Sequence, residues 1–150
     1  MFTSEWTVSI DAKGRVAVPT YFRADIEKLC GNELVFTYSI ENNGSIWLLP
    51  KPFWQELCEQ IEASKSKSKQ LRRTRLRVIN SAISLQPDAS GRIILPPKMR
   101  ATVGLDKQVV FMGGGKKFEL WNEQALSIAR GDLIDFDDDE LDPALEAIDY

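Results

Sequence analysis

The chain repeats itself. Asp11-Ala12-Lys13-Gly14-Arg15-Val16-Ala17-Val18-Pro19, continued to Arg23-Ala24, aligns with Asp88-Ala89-Ser90-Gly91-Arg92-Ile93-Ile94-Leu95-Pro96, continued to Arg100-Ala101. The offset is 77 positions without a gap, and seven of the fourteen paired residues are identical. Most others exchange like for like, as Val16 with Ile93 and Val18 with Leu95. Agreement at this level marks a duplicated unit, which limits the fold to two copies of one small element.

Each copy has the same physical signature. Val8 and Ile10 alternate with Thr7 and Ser9, the pattern of a half-buried strand. Asp11 to Gly14 then supplies a turn, since Asp bonds backbone ahead of it and Gly tolerates positive φ. Val16 and Val18 resume the alternation until Pro19 ends the ladder. A short helix follows, with Phe22, Ile26 and Leu29 on one face and Gly31 just past its end. The second copy repeats this with Ile93, Leu95, Pro97, Met99, Val103 and Gly104.

After each helix comes a hairpin pattern. Leu34–Phe36 and Ile46–Leu49 are joined through Asn43-Gly44, and Val109–Phe111 and Phe118–Trp121 through Gly113-Gly114-Gly115. One such unit is too small to bury a core, so the expectation is an α+β fold in which two halves interleave strands into one small barrel. The expected divisions are residues 1–60, a helical connection at 61–83, a second half at 84–131 and a tail at 132–150. In the connection, Phe53, Leu57 and Ile61 form one apolar face, and Leu76, Ile79 and Ile83 form another. Residues 63–70 between them are polar and read as a helix–helix junction. A last helix is expected from Asn122 as N-cap to near Gly131.

Charge divides the chain. The whole carries −3, yet residues 1–131 hold all 19 basic groups and 13 of the 22 acidic ones, a net +6. The remaining nine carboxylates lie in residues 132–150, with no Lys or Arg. A basic body suits a polyanion; the acidic tail reads either as a solvated extension or, through Leu133, Ile134, Phe136, Leu141, Leu145 and Ile148, as a docking segment that tempers DNA binding.

Two clusters are candidates for binding. The Asp-x-x-Gly-Arg turns place Asp11, Lys13, Gly14 and Arg15 together, and likewise Asp88, Gly91 and Arg92. Arg is the side chain suited to guanine O6 and N7 in the major groove, and the Asp four residues earlier either orients it or caps the turn. Turn geometry requires the Asp and Gly but not the Arg, so its presence twice points to function. The second cluster is Lys65, Lys67, Lys69, Arg72, Arg73, Arg75 and Arg77, with no acidic residue between Ala63 and Ile79. It fits DNA phosphates or an assembly contact equally.

Other chemistries find no support. The chain has no His, Cys30 and Cys58 form no CxxC pair, and no GxSxG elbow exists, so neither catalysis nor a zinc or disulfide framework is expected. Gly113–Lys117 lacks phosphate-loop spacing. The carboxylates between Asp135 and Asp142 lack the Gly of a calcium loop. Trp6, Trp47, Trp54 and Trp121 read as core or interface residues. No cofactor, metal, membrane or small-molecule substrate is expected, and with no secretion signal in Met1–Trp6 the expected location is the cytoplasm.

At the two motifs the chain resembles the MraZ family of bacterial transcriptional regulators, within the AbrB-like (SpoVT-AbrB domain) superfamily. The resemblance rests on Met1-Phe2, on Asp11–Arg15 with Pro19, Phe22 and Arg23, on Asp88–Arg92 with Pro96 and Arg100, and on Phe118–Trp121. It implies two tandem AbrB-like units forming a swapped-hairpin pseudo-dimer within one chain. It also implies ring-like homo-oligomers and nucleoid-associated binding to G-rich direct repeats in double-stranded DNA upstream of the division and cell-wall gene cluster, including the regulator's own promoter. The family's DNA-contacting Asp-x-x-x-Arg falls on Asp11 and Arg15 and on Asp88 and Arg92. Ser90 departs from the pattern at Lys13, and Ser4 stands where Gly is frequent. The rival readings are an AbrB-like antitoxin and a non-DNA assembly module.

Overall fold

The computed structural model describes residues 1–131 except Asn42, together with Ala144. The acidic segment expected to dock on the basic surface therefore lies outside the described residues. Among them, no helix is long and apolar enough to cross a membrane.

The first repeat runs β1 (Glu5–Ser9), β2 (Arg15–Ala17), α1 (Thr20–Cys30), β3 (Leu34–Tyr38) and β4 (Ser45–Pro50). Helices α2 (Lys51–Ala63) and α3 (Lys69–Arg75) and a π-helical turn (Leu76–Asn80) follow. The second repeat runs β5 (Ile83–Leu85), β6 (Arg92–Ile94), α4 (Pro97–Thr102), β7 (Gln108–Gly113), β8 (Phe118–Trp121) and α5 (Glu123–Ala129). The expected hairpins are both present, as β3 with β4 and β7 with β8. Asn122 caps α5 by accepting from the Gln124 and Ala125 N–H groups.

All pairings are antiparallel, and they exchange strands between the repeats. β1 pairs with β7, and β5 pairs with β3, so the strand before each turn adds to the other repeat's hairpin. β4 and β8 close the six-stranded order β1-β7-β8-β4-β3-β5. β2 and β6 form a separate two-stranded ribbon. The ribbon's inward residues Val16 and Ile93, with Val18 and Leu95, share one buried cluster with Phe22, Phe36, Ile46, Leu48, Phe111, Phe118 and Leu120. Alternation along β3 and β4 sends Val35, Thr37, Trp47 and Leu49 to the opposite face of the sheet. Continuous burial of β4 follows, because both of its faces are covered.

The connection departs from expectation. Ile83 is a strand residue at the sheet edge, not part of a helix face, and Leu76 is 55% exposed. The buried residue is Val78. The π turn explains the change of direction. Thr37 Oγ1 donates to the Arg77 and Val78 carbonyls at 2.9 and 2.8 Å, and Trp54 Nε1 donates to Val78 O at 3.2 Å. These groups satisfy carbonyls that a continuing α-helix would occupy, and the chain leaves as β5. Two other apolar faces are also narrower than expected: in α1 the buried residues are Phe22 and Ile26 with Leu29 exposed, and in α2 only Ile61 is buried.

The glycine loop between β7 and β8 has a steric cause. A Cβ on Gly113 would stand 2.5 Å from Thr3 N, because the N-terminal segment crosses there and Phe2 N donates to Gly115 O at 2.7 Å. Trp47 and Trp121 are buried, and Trp6, 37% exposed, meets the Tyr21 ring in a tilted arrangement with centroids 5.1 Å apart.

Candidate nucleic-acid interface

The two turns are built alike, atom for atom. Asp11 Oδ1 accepts from the Lys13 and Arg15 backbone N–H groups at 2.9 and 2.8 Å, and its Oδ2 accepts from Arg15 Nε at 2.8 Å. Asp88 Oδ1 accepts from the Ser90 and Arg92 N–H groups at 2.9 Å each, and its Oδ2 from Arg92 Nε at 3.0 Å. Each Asp thus both caps its turn and orients its Arg, with one oxygen for each task. Gly14 and Gly91 complete the turns at φ of 78° and 77°.

These bonds hold both carboxyls below the ordinary aspartate value. The largest cause is the backbone N–H of Arg15 for Asp11 and of Arg92 for Asp88. The arginine side chains lower them further, against a partial desolvation that raises them. Each turn is therefore a fixed ion pair in which the Nε is occupied. Among the described residues, no hydrogen bond engages the terminal nitrogens of either guanidinium.

The ribbon register brings the two arginines onto one surface. Arg15 faces Ile94, Val16 faces Ile93 and Ala17 faces Arg92. Since Val16 and Ile93 point into the core, Arg15, Ala17, Arg92 and Ile94 share the outward face. The arginines are diagonal neighbours, about 7–8 Å apart at the ribbon backbone. The ribbon also ties each turn to the other repeat: Val18 N donates to Gly91 O and Leu95 N to Gly14 O, both at 2.9 Å.

Two further arginines support the turns. A Cβ built on Gly91 would meet Arg23 Cζ at 2.5 Å, and one on Gly14 would meet Arg100 Nη1 at 3.3 Å. Arg23 Nε donates to Val18 O at 2.8 Å, and Arg100 Nε to Leu105 O at 3.0 Å. Each arginine thus lies against the glycine of the opposite repeat. The sequence shows Arg23 and Arg100 as identical repeat positions without assigning them a role; their recurrence, which no helix or turn rule requires, is the available signal.

The basic stretch lies elsewhere. Thr37 binds its carbonyls, and Thr37 faces away from the core that Phe36 and the ribbon share. The sheet therefore separates Arg77 and Val78, at the end of that stretch, from the ribbon that carries Arg15 and Arg92. Lys65, Lys67, Lys69, Arg72 and Arg73 are exposed, while Arg75 and Arg77 are partly buried. Arg75 Nε stands 3.4 Å from Glu62 Oε1 without hydrogen-bond geometry, and Arg77 Nε is buried with no hydrogen-bond partner among the described residues. Cys30 and Cys58 are free thiols, both pushed up in pKa chiefly by burial. No group of three or more metal-ligating side chains occurs among the described residues.

The family model described as "MraZ protein, putative antitoxin-like" matches residues 1–78 and 78–128, which covers both turns. The chain belongs to the MraZ family. A relative from Marinobacter nauticus, named transcriptional regulator MraZ, is 34% identical over 149 residues, spanning 98% of this chain and 97% of its own. The MraZ regulator of Xanthomonas oryzae pv. oryzae is 35% identical, over 90% of this chain and 95% of its own. That of Stenotrophomonas maltophilia is 36% identical over 83% and 84%. The likeness to MraZ proteins therefore extends over whole chains rather than over the turn motif alone.

Proposed function

We propose that this MraZ-family chain is a DNA-binding regulator of transcription that reads base edges with Arg15 and Arg92 from the outward face of the β2–β6 ribbon. One observation carries the reading: both guanidinium groups are oriented through Nε by an aspartate, and on the ribbon's outward face their terminal nitrogens have no hydrogen-bond partner among the described residues. That pair of donors matches guanine O6 and N7, and a two-stranded ribbon fits the major groove. Lys13 adds a phosphate contact at the first turn, and Gly14 and Gly91 let backbone approach the duplex. The regulator role of the relatives supports the same assignment.

In this reading the fold is a pair of tandem AbrB-like units, residues 1–60 and 84–131, joined by the 61–83 connection, that swap strands to make one recognition ribbon. The exchanged pairing of β1 with β7 and β5 with β3 supports it. The targets are G-rich direct repeats in the promoter of the division and cell-wall gene cluster, including the protein's own promoter. One ribbon touches few base pairs, so a ring-like homo-oligomer on tandem repeats gains affinity through effective concentration, by about 10²–10⁴-fold. A hollow lined by Met1, Phe2, Leu29 and Phe53 offers apolar surface for such assembly. Lys65, Lys67, Lys69, Arg72 and Arg73, all exposed, contact a neighbouring subunit or the backbone of DNA led around the assembly. The protein then resides at the nucleoid in the cytoplasm.

The test is DNA selection from a random pool at fixed salt, followed by binding of the selected duplex to the wild type and to Arg15→Ala and Arg92→Ala. The reading requires a repeated G-rich sequence and weaker binding by both variants. Unchanged affinity in both would refute it.

A further inference from the structure

We infer that Ile94 is a specificity-determining residue that contacts a thymine C5-methyl group and gives the recognition ribbon a direction along the DNA. The inference rests on the proposed reading of DNA by this ribbon. A break in the repeat motivates it. Ala17 and Ile94 are equivalent at the offset of 77, as are Lys13 and Ser90. The rest of the ribbon is closely matched, with Arg15 for Arg92 and Val16 for Ile93.

The break falls on the outward face. Ile94 stands directly opposite Arg15, and Ala17 directly opposite Arg92. Ile94 is 61% exposed, so the core does not need its bulk, and the equivalent position functions with a methyl side chain alone. A β-branched residue favours a strand, but that preference does not select a site between two arginines. Ile94 lines a shallow hollow with Lys13, Gly14, Arg100 and Asp106, whereas the hollow at the other turn holds Arg23 with Glu27 and Asp88, so Ile94 lies on the more basic of the two turn surfaces.

In the major groove the thymine methyl is the apolar feature of the base edges, and an apolar side chain is its complement. Arg15 beside Ile94 then reads a guanine next to a thymine, while Arg92 beside Ala17 reads a guanine with a looser neighbour. The two ends of one ribbon are unequal, so each subunit binds in one orientation.

The experiment uses full-length protein and the duplex selected above, with each thymine replaced in turn by deoxyuridine, which removes the methyl and keeps the pairing. The wild type should lose affinity about fourfold at one position in each subunit's site, the scale of one buried methyl group. Ile94→Ala should bind the thymine duplex about fourfold more weakly and show no response to deoxyuridine at that position. Ala17→Ile should gain a second methyl-sensitive position at the other end of the site. Identical responses of the wild type and Ile94→Ala to every replacement would overturn the inference. Weaker binding by Arg15→Ala alongside that result would leave DNA reading intact and remove only the role of Ile94.

Discussion

The Arg23 guanidinium lies against Gly91 so closely that a Cβ on that glycine would stand 2.5 Å from its Cζ. Arg100 stands in the same relation to Gly14, at 3.3 Å. Each Asp-x-x-Gly-Arg turn is therefore backed by an arginine from the other repeat, and the exchange of strands between repeats is what places it there. The two turns form one surface because neither is complete within its own repeat.

Gly91→Ala should destabilise the protein by about 2–3 kcal/mol, since φ near +77° strains an L-residue and the new methyl displaces Arg23. Gly31→Ala, also at positive φ but with open space around its Cβ, should cost about 1 kcal/mol. Chemical denaturation of both variants checks the difference. Adding Arg23→Ala to Gly91→Ala should recover part of the stability, and equal costs at the two glycines would argue against the packing role of Arg23.

Asp11 and Asp88 should titrate below the ordinary aspartate range in carboxyl-detected NMR, because backbone N–H groups bind their anions. With the folded-state value lowered, the contribution to stability is complete above the unfolded aspartate value and disappears as pH falls through the lowered one. Asp11→Asn keeps an oxygen for the Lys13 and Arg15 N–H groups but removes the charge that holds the guanidinium. Its acid-side decline in stability should be smaller than that of the wild type, and DNA affinity should fall while the turn persists.

Much of the fold is legible in the sequence because short-range rules and the repeat agree. Asp11-x-x-Gly14 and Asn43-Gly44 carry turn chemistry in the residues themselves, and Asn122 is a cap in any context. The strand exchange is legible only in outline, from a unit too small to bury its own core. The π turn at Leu76–Asn80 is not, since it depends on Thr37 and Trp54 reaching carbonyls 24 to 41 residues away. The site shows the same division. Asp11 and Arg15 are four residues apart and announce each other, whereas Arg23 and Gly91 meet only after the strands have crossed. The anchoring of Arg77 and Val78 on the face away from the ribbon is likewise a property of the sheet, which no local pattern displays.

Replacing Lys65, Lys67, Lys69, Arg72 and Arg73 together with Gln should leave the preferred DNA sequence unchanged, because the helix carrying Arg72 and Arg73 runs into Leu76–Asn80, which is anchored on the sheet face away from Arg15 and Arg92. Fold stability should change by about 0.5 kcal/mol or less for each exposed position. Repeating the selection with this variant checks the claim. A changed consensus would contradict the placement.

Ending the chain after Gly131 removes nine carboxylates and no basic group, taking the formal charge from −3 to +6. Non-specific DNA binding at low salt should tighten, and the gain should fade as the Debye length shortens with added salt. Fluorescence anisotropy on a random-sequence duplex reads both effects.

The measurement closest to the central claim is affinity for the selected duplex with its guanines replaced singly by 7-deazaguanine, which lacks the N7 acceptor. The wild type should weaken at particular guanines, by about 1–3 kcal/mol wherever an arginine no longer has both acceptors to bind. Arg15→Ala should be insensitive at one subset and Arg92→Ala at another. Full sensitivity retained in both variants would show that neither guanidinium reads a base.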